Sequence, residues 1–516
     1  MRRQTLLPLI YSVILGMGFG LANVYIGLKL GFTVGVALLT VFVLGGSVRV
    51  FRAFMPKWPG FDAHQYVYYQ SLTSAMSYGA GNVLASAFAA MVMSHSIGPH
   101  PWLLAIWLSG VCALGCVVTV PMRARLLASY PFPSGRIAGE SVQHLLDGKS
   151  VRVFFSAFGL SGFWVILQNL VKSMPTGWSL FRQWGVSWSP MLLGLGAILG
   201  LRTCLSLLVG AVVAFEVAPV LWAQQAEVIV PWTAVTAMCV ASIGELFLQI
   251  GADKSAPKLA LRDPFWWRFA VPLSLIVAGL SIWVLHASWL VVVVALGLIV
   301  PFAWVSNRVT GETDVVPTGA LGKLSLLLLG LLPGAAGAMV GTGVLAGSSS
   351  ASSDFMTDLR CGQIHECDPK RQFRYQFAGA ILGPLIFVPV VWFLIMPRFE
   401  LGGDEFPAPA GQIWLNVWQF TQREALFADP TINFALGVGL VIGVLAILIN
   451  RYPRVKAFAP SLVVAAFAAF LDQTTVLTLL AGAGMGRLLG KRVSDVAIAM
   501  VAGESVFVWV GLLAAL

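Results

Sequence analysis

Charge is what this 516-residue sequence has least of: 10% of its side chains are charged, against 58% that are apolar. Soluble domains carry about 25% charged residues, so this chain lacks the ionisable surface that would keep it dispersed in water. A mean hydropathy of +0.85 points the same way. A soluble enzyme or a nucleic-acid partner is argued against, although Lys and Arg number 32 against 22 Asp and Glu. In a membrane protein such a basic excess marks cytoplasmic loops. Cysteine is scarce as well, and six residues, mostly within apolar runs, make no disulfide framework. The six histidines form no His-Glu-x-x-His pattern, and there is neither a phosphate-binding P-loop nor a polar block long enough for a nucleotide-binding domain. Cys361, His365 and Cys367 offer soft ligands without the paired spacing of structural zinc motifs. No catalytic residues, resident metal or cofactor are therefore expected, and a gradient has to supply the work of any transport.

What is present is a succession of apolar runs separated by short polar joints, at roughly 5–28, 31–51, 66–93, 102–120, 153–171, 229–250, 269–286, 289–305, 375–396, 432–450 and 494–515. Their lengths suit a hydrocarbon layer of about 30 Å crossed at about 1.5 Å per residue. They are continuously apolar, unlike the alternating strands of a membrane barrel. The expected fold class is all-α: a polytopic integral membrane protein with multiple transmembrane helices, broken helices and internal repeats. Residues 1–516 read as a single membrane-embedded domain, with repeat-related halves meeting between 225 and 310. The first apolar run outlasts a signal-peptide core, so the first helix is expected to stay. The 53 glycines suit close helix packing in lipid, and several of the 18 tryptophans stand at run ends, where indoles meet headgroups.

The basic residues set a parity. Arg2 and Arg3 start the chain on the cytoplasmic side, Arg49, Arg52 and Lys57 return it there, and the 95–100 turn, without Lys or Arg, reads as external. Three runs break the alternation unless each returns to the side it left: 188–222, 320–350 and 457–486. Thirty-five residues in one helix would also span about 52 Å, too far for one crossing. Each run is therefore expected to be a broken pair, the kind of segment that builds sites in secondary transporters. Loops 251–268 and 351–373 then both fall inside. Residues 137–142, Ile-Ala-Gly-Glu-Ser-Val, recur as Val-Ala-Gly-Glu-Ser-Val at 501–506, a further sign of duplication.

The order of several motifs resembles that of the oligopeptide transporter superfamily, which includes the yellow-stripe-like metal–chelate carriers. Gly27-Leu28-Lys29-x-Gly31 is similar to a glycine-rich family segment, and Phe132-Pro133-x-Gly135 with Glu140 to a second. Thr310-Gly311-Glu312-Thr313-Asp314 followed by Gly322-Lys323-Leu324 is similar to a third. Asp358-Leu359-Arg360-x-Gly362 with Asp368-Pro369-Lys370-Arg371-Gln372-Phe373 resembles the family's Asp-Leu-Lys-Thr-Gly and Pro-Arg-x-Gln loop, with Arg360 where Lys is frequent and Cys361 where Thr is. The resemblance implies a proton-driven carrier of small peptides or peptide-like solutes, with a metal–chelate cargo as the alternative and a passive channel behind both. It further implies a compact prokaryotic member in a bacterial inner membrane, with membrane lipids as its surroundings, a cytoplasmic N-terminus and a homodimer left open.

Ionisable groups in apolar surroundings are the natural candidates for such a site, because a lipid-facing charge costs about 2.5–3.5 kcal/mol at the bilayer centre. Glu504 is the leading proton-carrier candidate by position, with Glu140 in the same local sequence. Asp472 stands at a break, and Lys29 either snorkels or meets a substrate carboxylate. Gly347, Ser348, Asp354, Asp358 and Arg360 are candidates for a gate or cavity lining, in what otherwise reads as a solvated loop from Ser348 to Phe373. Glu216 and Arg202 read as halves of structural ion pairs.

Overall fold

Several helices begin where Ser or Asp precedes Pro, a pairing that supplies both an acceptor for the free N–H groups and a preset φ. Ser189 accepts from the amide of Leu192, Asp368 from Lys370 and Asp429 from Thr431, and Pro190, Pro369 and Pro430 open the corresponding helices. The computed structural model describes residues 2–30, 36–37, 40–41, 43–45, 47, 60–94, 100–147, 151–171, 177–252, 264–333, 337–403, 406–421, 429–452, 459–489, 496–497, 499–501, 503–504 and 507. Among them, eight helices are long and apolar enough to cross a membrane. The runs expected at 31–51 and 494–515, and the joint at 253–263, lie mostly or wholly outside the described residues.

The chain divides into two units, each drawn from separate stretches of sequence: 1–139, 252–310 and 315–428 form the first, and 140–251, 311–314 and 429–516 the second.

The first unit contains α1 (Arg2–Leu30), α2 (Ala63–Met93, with a π-helical turn at Leu84–Phe88) and α3 (Pro101–Ser129). The start of α4 (Pro133–Asp147) also belongs to it. Further along the chain, α8 (Pro264–Trp283), most of α9 (Trp289–Thr313), α10 (Thr318–Gly330), α11 (Ala338–Ile364), α12 (Pro369–Val390) and α13 (Pro409–Thr421) complete it. At its centre α11 packs on α2, α3, α10 and α12. Small residues permit this. A Cβ on Gly115 of α3 would overlap the Ser348 carbonyl oxygen and come within 2.8 Å of Ala351 Cβ. Gly379 and Gly383 bring α12 equally close to the α2 backbone at Leu72 and Met76.

The expected break in 320–350 is present, and it is a hairpin. The side-chain amide of Asn82 donates to Thr318 Oγ1 at 3.1 Å and to Ser350 Oγ at 2.6 Å. A continuous helix would hold those two hydroxyls about 48 Å apart. Gly341 fits beneath Leu329 from the opposing arm, so the return is tightly packed. The expectation of a solvated loop from Ser348 to Phe373 is overturned. Residues 338–364 are one helix with nearly every side chain from Ala338 to Cys361 buried, a four-residue turn follows, and α12 begins at Pro369. Ser348, Ser350, Ser352, Ser353, Asp354 and Asp358, whose abundance of polar groups made this stretch look loop-like, each meet a partner on another helix.

The second unit contains most of α4, then α5 (Val151–Leu170), a hairpin of β1 (Gly177–Phe181) and β2 (Trp184–Ser187), α6 (Pro190–Val212) and α7 (Ala226–Ala252). It is completed by α14 (Pro430–Arg451), α15 (Leu462–Phe467) and α16 (Gln473–Leu489). The short β-hairpin, with Trp178 opposite Val186, is a local addition that continuous apolar runs do not signal. Within α6, Gly200 adopts φ 79° and ψ 166°, a conformation open to glycine. The chain folds back there: Cys204 Sγ lies 3.8 Å from the Gly196 carbonyl oxygen, where a straight helix would separate the two residues by about 12 Å. The 188–222 run is therefore broken as the charge parity requires. The 457–486 run is also interrupted, at Leu471 and Asp472, and both its helices pack on α6. Gly196 and Gly482 admit the α16 and α6 backbones respectively.

Candidate functional site

A polar seam runs along α11 inside the first unit. Ser348 donates to the Val111 carbonyl at 3.0 Å, and the Ser350 hydroxyl accepts from Asn82. The Ser352 hydroxyl meets Thr119 Oγ1 and the Asn307 amide, each at 2.8 Å, and Ser353 meets Ser306 at 2.8 Å. One turn further on the seam becomes acidic. Asp354 accepts from Ser74 Oγ and from Gln376 Nε2, both at 2.9 Å. Asp358 accepts from the side-chain amide of Gln70, and its backbone carbonyl from Gln372 Nε2 at 2.7 Å.

The two acids stand four positions apart, one above the other on a single helix face. They meet two further pairs of the same spacing, Gln70 and Ser74 on α2 and Gln372 and Gln376 on α12. Asp358, Gln70 and Gln376 are 1%, 0% and 0% exposed, while Asp354 is only partly buried. Three of these buried atoms have no hydrogen-bond partner among the described residues: Asp358 Oδ2, Gln70 Oε1 and Gln376 Oε1. All three are acceptors. Around the two acids, the unpartnered buried atoms are therefore oxygen acceptors.

Of the residues singled out in the sequence, Gly347, Ser348, Asp354 and Asp358 come together on this helix. Gly347 lies beneath Val111 and Val83. Arg360, at the edge, donates to the Leu127 carbonyl at 3.2 Å and to Gln363 at 2.8 Å. His365 does not join Cys361 and Cys367 in a ligand set; its Nε2 lies 2.8 Å from the Gly139 carbonyl oxygen. Lys29 falls in the last turn of α1, with its side chain outside the described residues, and Glu140 is half-buried in α4.

Two acids belong to the second unit. Asp472 is exposed and opens α16, accepting from the Thr475 amide at 2.8 Å and the Thr475 hydroxyl at 2.6 Å. Glu504 accepts from Ser189 Oγ and from the amide of Met191, both at 2.8 Å. It therefore sits at the first turn of α6, taking up one of the N–H groups that a helix start leaves free. Glu216 pairs with Arg182 at 2.7 Å and also accepts from Trp184 Nε1, as its reading as a structural ion pair anticipates. Arg202 donates to the Ala459 carbonyl.

The residues that sequence reasoning passed over are the uncharged ones: Gln70, Ser74, Asn82, Asn307, Gln372 and Gln376. A search for ionisable groups misses amides, although the four-residue spacing of Gln70 with Ser74 and of Gln372 with Gln376 was visible. A recess of about 710 Å³, lined by Met93, Arg398, Glu400, Gln412 and Asn416 among others, shares no residue with the seam.

Long apolar helices, interrupted by glycine-hinged or hairpin breaks and lined internally by polar side chains, define a polytopic membrane protein of transporter type. The model of the OPT oligopeptide transporter protein family matches residues 4–244 and 256–510, and the chain belongs to that family. It is similar to the Saccharomyces cerevisiae protein named "Putative oligopeptide transporter YGL114W", 24% identical over 151 residues, which are 28% of this chain and 21% of that protein. It is similar also to "Metal-nicotianamine transporter YSL3" of Arabidopsis thaliana, 25% identical over 182 residues, covering 32% of this chain and 27% of the relative. "Probable metal-nicotianamine transporter YSL9" of Oryza sativa subsp. japonica aligns over 388 residues at 24% identity, 60% of this chain and 56% of the relative. The chain thus matches between a fifth and just over half of the length of these relatives.

Proposed function

We propose that this protein is a secondary active carrier whose cargo is a metal–chelate complex with amino-acid-like ligands, moved together with protons. The choice of a chelate over a peptide rests on one observation. The alignment to a metal-nicotianamine transporter covers 60% of the chain, whereas that to the yeast oligopeptide transporter covers 28%. A small peptide is the second reading, favoured by the family description. Broken helices support a carrier over a passive channel, since they expose backbone polar groups only where protein or a water-filled cavity receives them. The alternating basic joints support a cytoplasmic N-terminus, as in a bacterial inner membrane.

Competition in sealed vesicles tests the cargo. Zinc-loaded nicotianamine should accumulate, and excess tripeptide should not displace it. Accumulation of the tripeptide, with displacement of the chelate, would restore the peptide reading. Equilibration of both without accumulation would make the protein a channel.

A further inference from the structure

The buried acid pair on α11 has an imbalance that its neighbours do not correct. Asp354 and Asp358 bring two carboxyls into a region where the helices facing them supply only neutral donors: Gln70 and Ser74 from α2, Gln372 and Gln376 from α12. The titratable side chains close to the pair include thiols, Cys112 and Cys116 on α3 and Cys361 on α11 itself, and the same unit also buries the guanidinium groups of Arg125 on α3 and Arg308 on α9. No Lys, Arg or His hydrogen-bonds or ion-pairs with either carboxyl among the described residues. An ionised carboxylate pair buried without a counter-charge is costly. The three atoms there without a partner among the described residues, Asp358 Oδ2 and the carbonyl oxygens of Gln70 and Gln376, are all acceptors, so the pair is suited to take up a positive charge or a proton.

We infer that Asp354 and Asp358 form one proton-binding site, in which a single proton taken from water rests on Asp358 and passes in and out through Asp354. An O–H bond forms at Asp358, an O–H bond of hydronium breaks, and one negative charge in the unit is neutralised. The protonated carboxyl becomes a donor. The Gln70 amide, which donates to the anion, can turn to present its carbonyl oxygen to the acid, because it carries donor and acceptor on the same plane. The graded burial suits this traffic, with Asp354 partly open and Asp358 closed off. A role for this proton in driving cargo rests on the carrier reading; its binding to the pair does not.

Infrared difference spectroscopy of the full-length protein in lipid, with no cargo present, tests the site directly. Acidification should raise a carboxylic-acid carbonyl band that shifts in heavy water and is the same in sodium chloride as in choline chloride. The band should be lost in Asp358→Asn and kept in Glu504→Gln. In Asp354→Asn it should persist but appear more slowly after a pH jump. A band that survives in both Asp358→Asn and Asp354→Asn would place the proton elsewhere. Abolition of the wild-type band by sodium at constant pH would make the pair a sodium site. That comparison needs no variant, so a poorly folding substitution leaves the inference open to refutation.

Discussion

Ser189 and Glu504, 315 positions apart in the sequence, are joined by a 2.8 Å hydrogen bond at the first turn of α6. With the Met191 amide as its second donor, Glu504 behaves as a helix cap supplied from a distant segment. Loss of such a cap costs about 0.5–2 kcal/mol. Glu504→Ala is expected to lower the melting temperature, while Glu504→Gln, which keeps an acceptor, should retain proton-driven accumulation. Asp358→Asn should lose that accumulation and still exchange cargo across the membrane. A Glu504→Gln protein as stable as wild type but unable to accumulate cargo would transfer the coupling role to Glu504.

The α10–α11 hairpin can be tested by chemistry. With the native cysteines replaced, Thr318→Cys and Ser350→Cys should be joined by a short bifunctional thiol reagent in the folded protein, since one Asn82 amide touches both native hydroxyls. A straight helix, holding the positions about 48 Å apart, would give no cross-link.

Packing at the centre of the first unit depends on specific glycines. Gly115→Ala places a methyl against the Ser348 carbonyl and Ala351, backbone and short side chain that have little freedom to move. A loss of about 1–3 kcal/mol is expected. Gly297, in α9, has nothing within 4 Å of its would-be Cβ. Alanine there should be neutral or add up to about 1 kcal/mol through helix propensity. Thermal melts in one detergent compare the two, and equal stability would contradict the close crossing of α3 and α11.

The alternation of basic joints also predicts sidedness. The turn between α11 and α12 presents Glu366 to solvent, and Glu366→Cys in a cysteine-free background should react with an impermeant maleimide only from the cytoplasmic face. Labelling from outside intact cells would remove the proposed orientation.

Much of the fold was legible because the membrane imposes a simple rule: a run must be long enough to cross, and basic joints must fall on one side. That rule required a break within each of 188–222, 320–350 and 457–486 without any knowledge of packing, and Asp472 was the one position singled out as standing at a break. It could not reveal that residues 351–364 continue a helix. The Ser, Asp and Arg residues there carry the composition of a loop, and partners on other helices, among them Gln70, Ser74, Asn307 and Gln376, make their burial tolerable. The site was half legible for the same reason. Asp354 and Asp358 stand out as acids in an apolar chain, whereas amides on α2 and α12 become significant once three helices are seen to converge. Position within an apolar run favoured Glu504, and that position carries no information about the α6 terminus it meets at Ser189.

Coupling of cargo movement to protons is read from uptake of zinc-loaded nicotianamine into proteoliposomes with an imposed pH gradient and the membrane potential clamped. An inward proton gradient should drive the complex above its external concentration, with a matching alkalinisation outside, and a protonophore should abolish both. Uptake that stops at equal concentrations and ignores the gradient would rule out proton coupling.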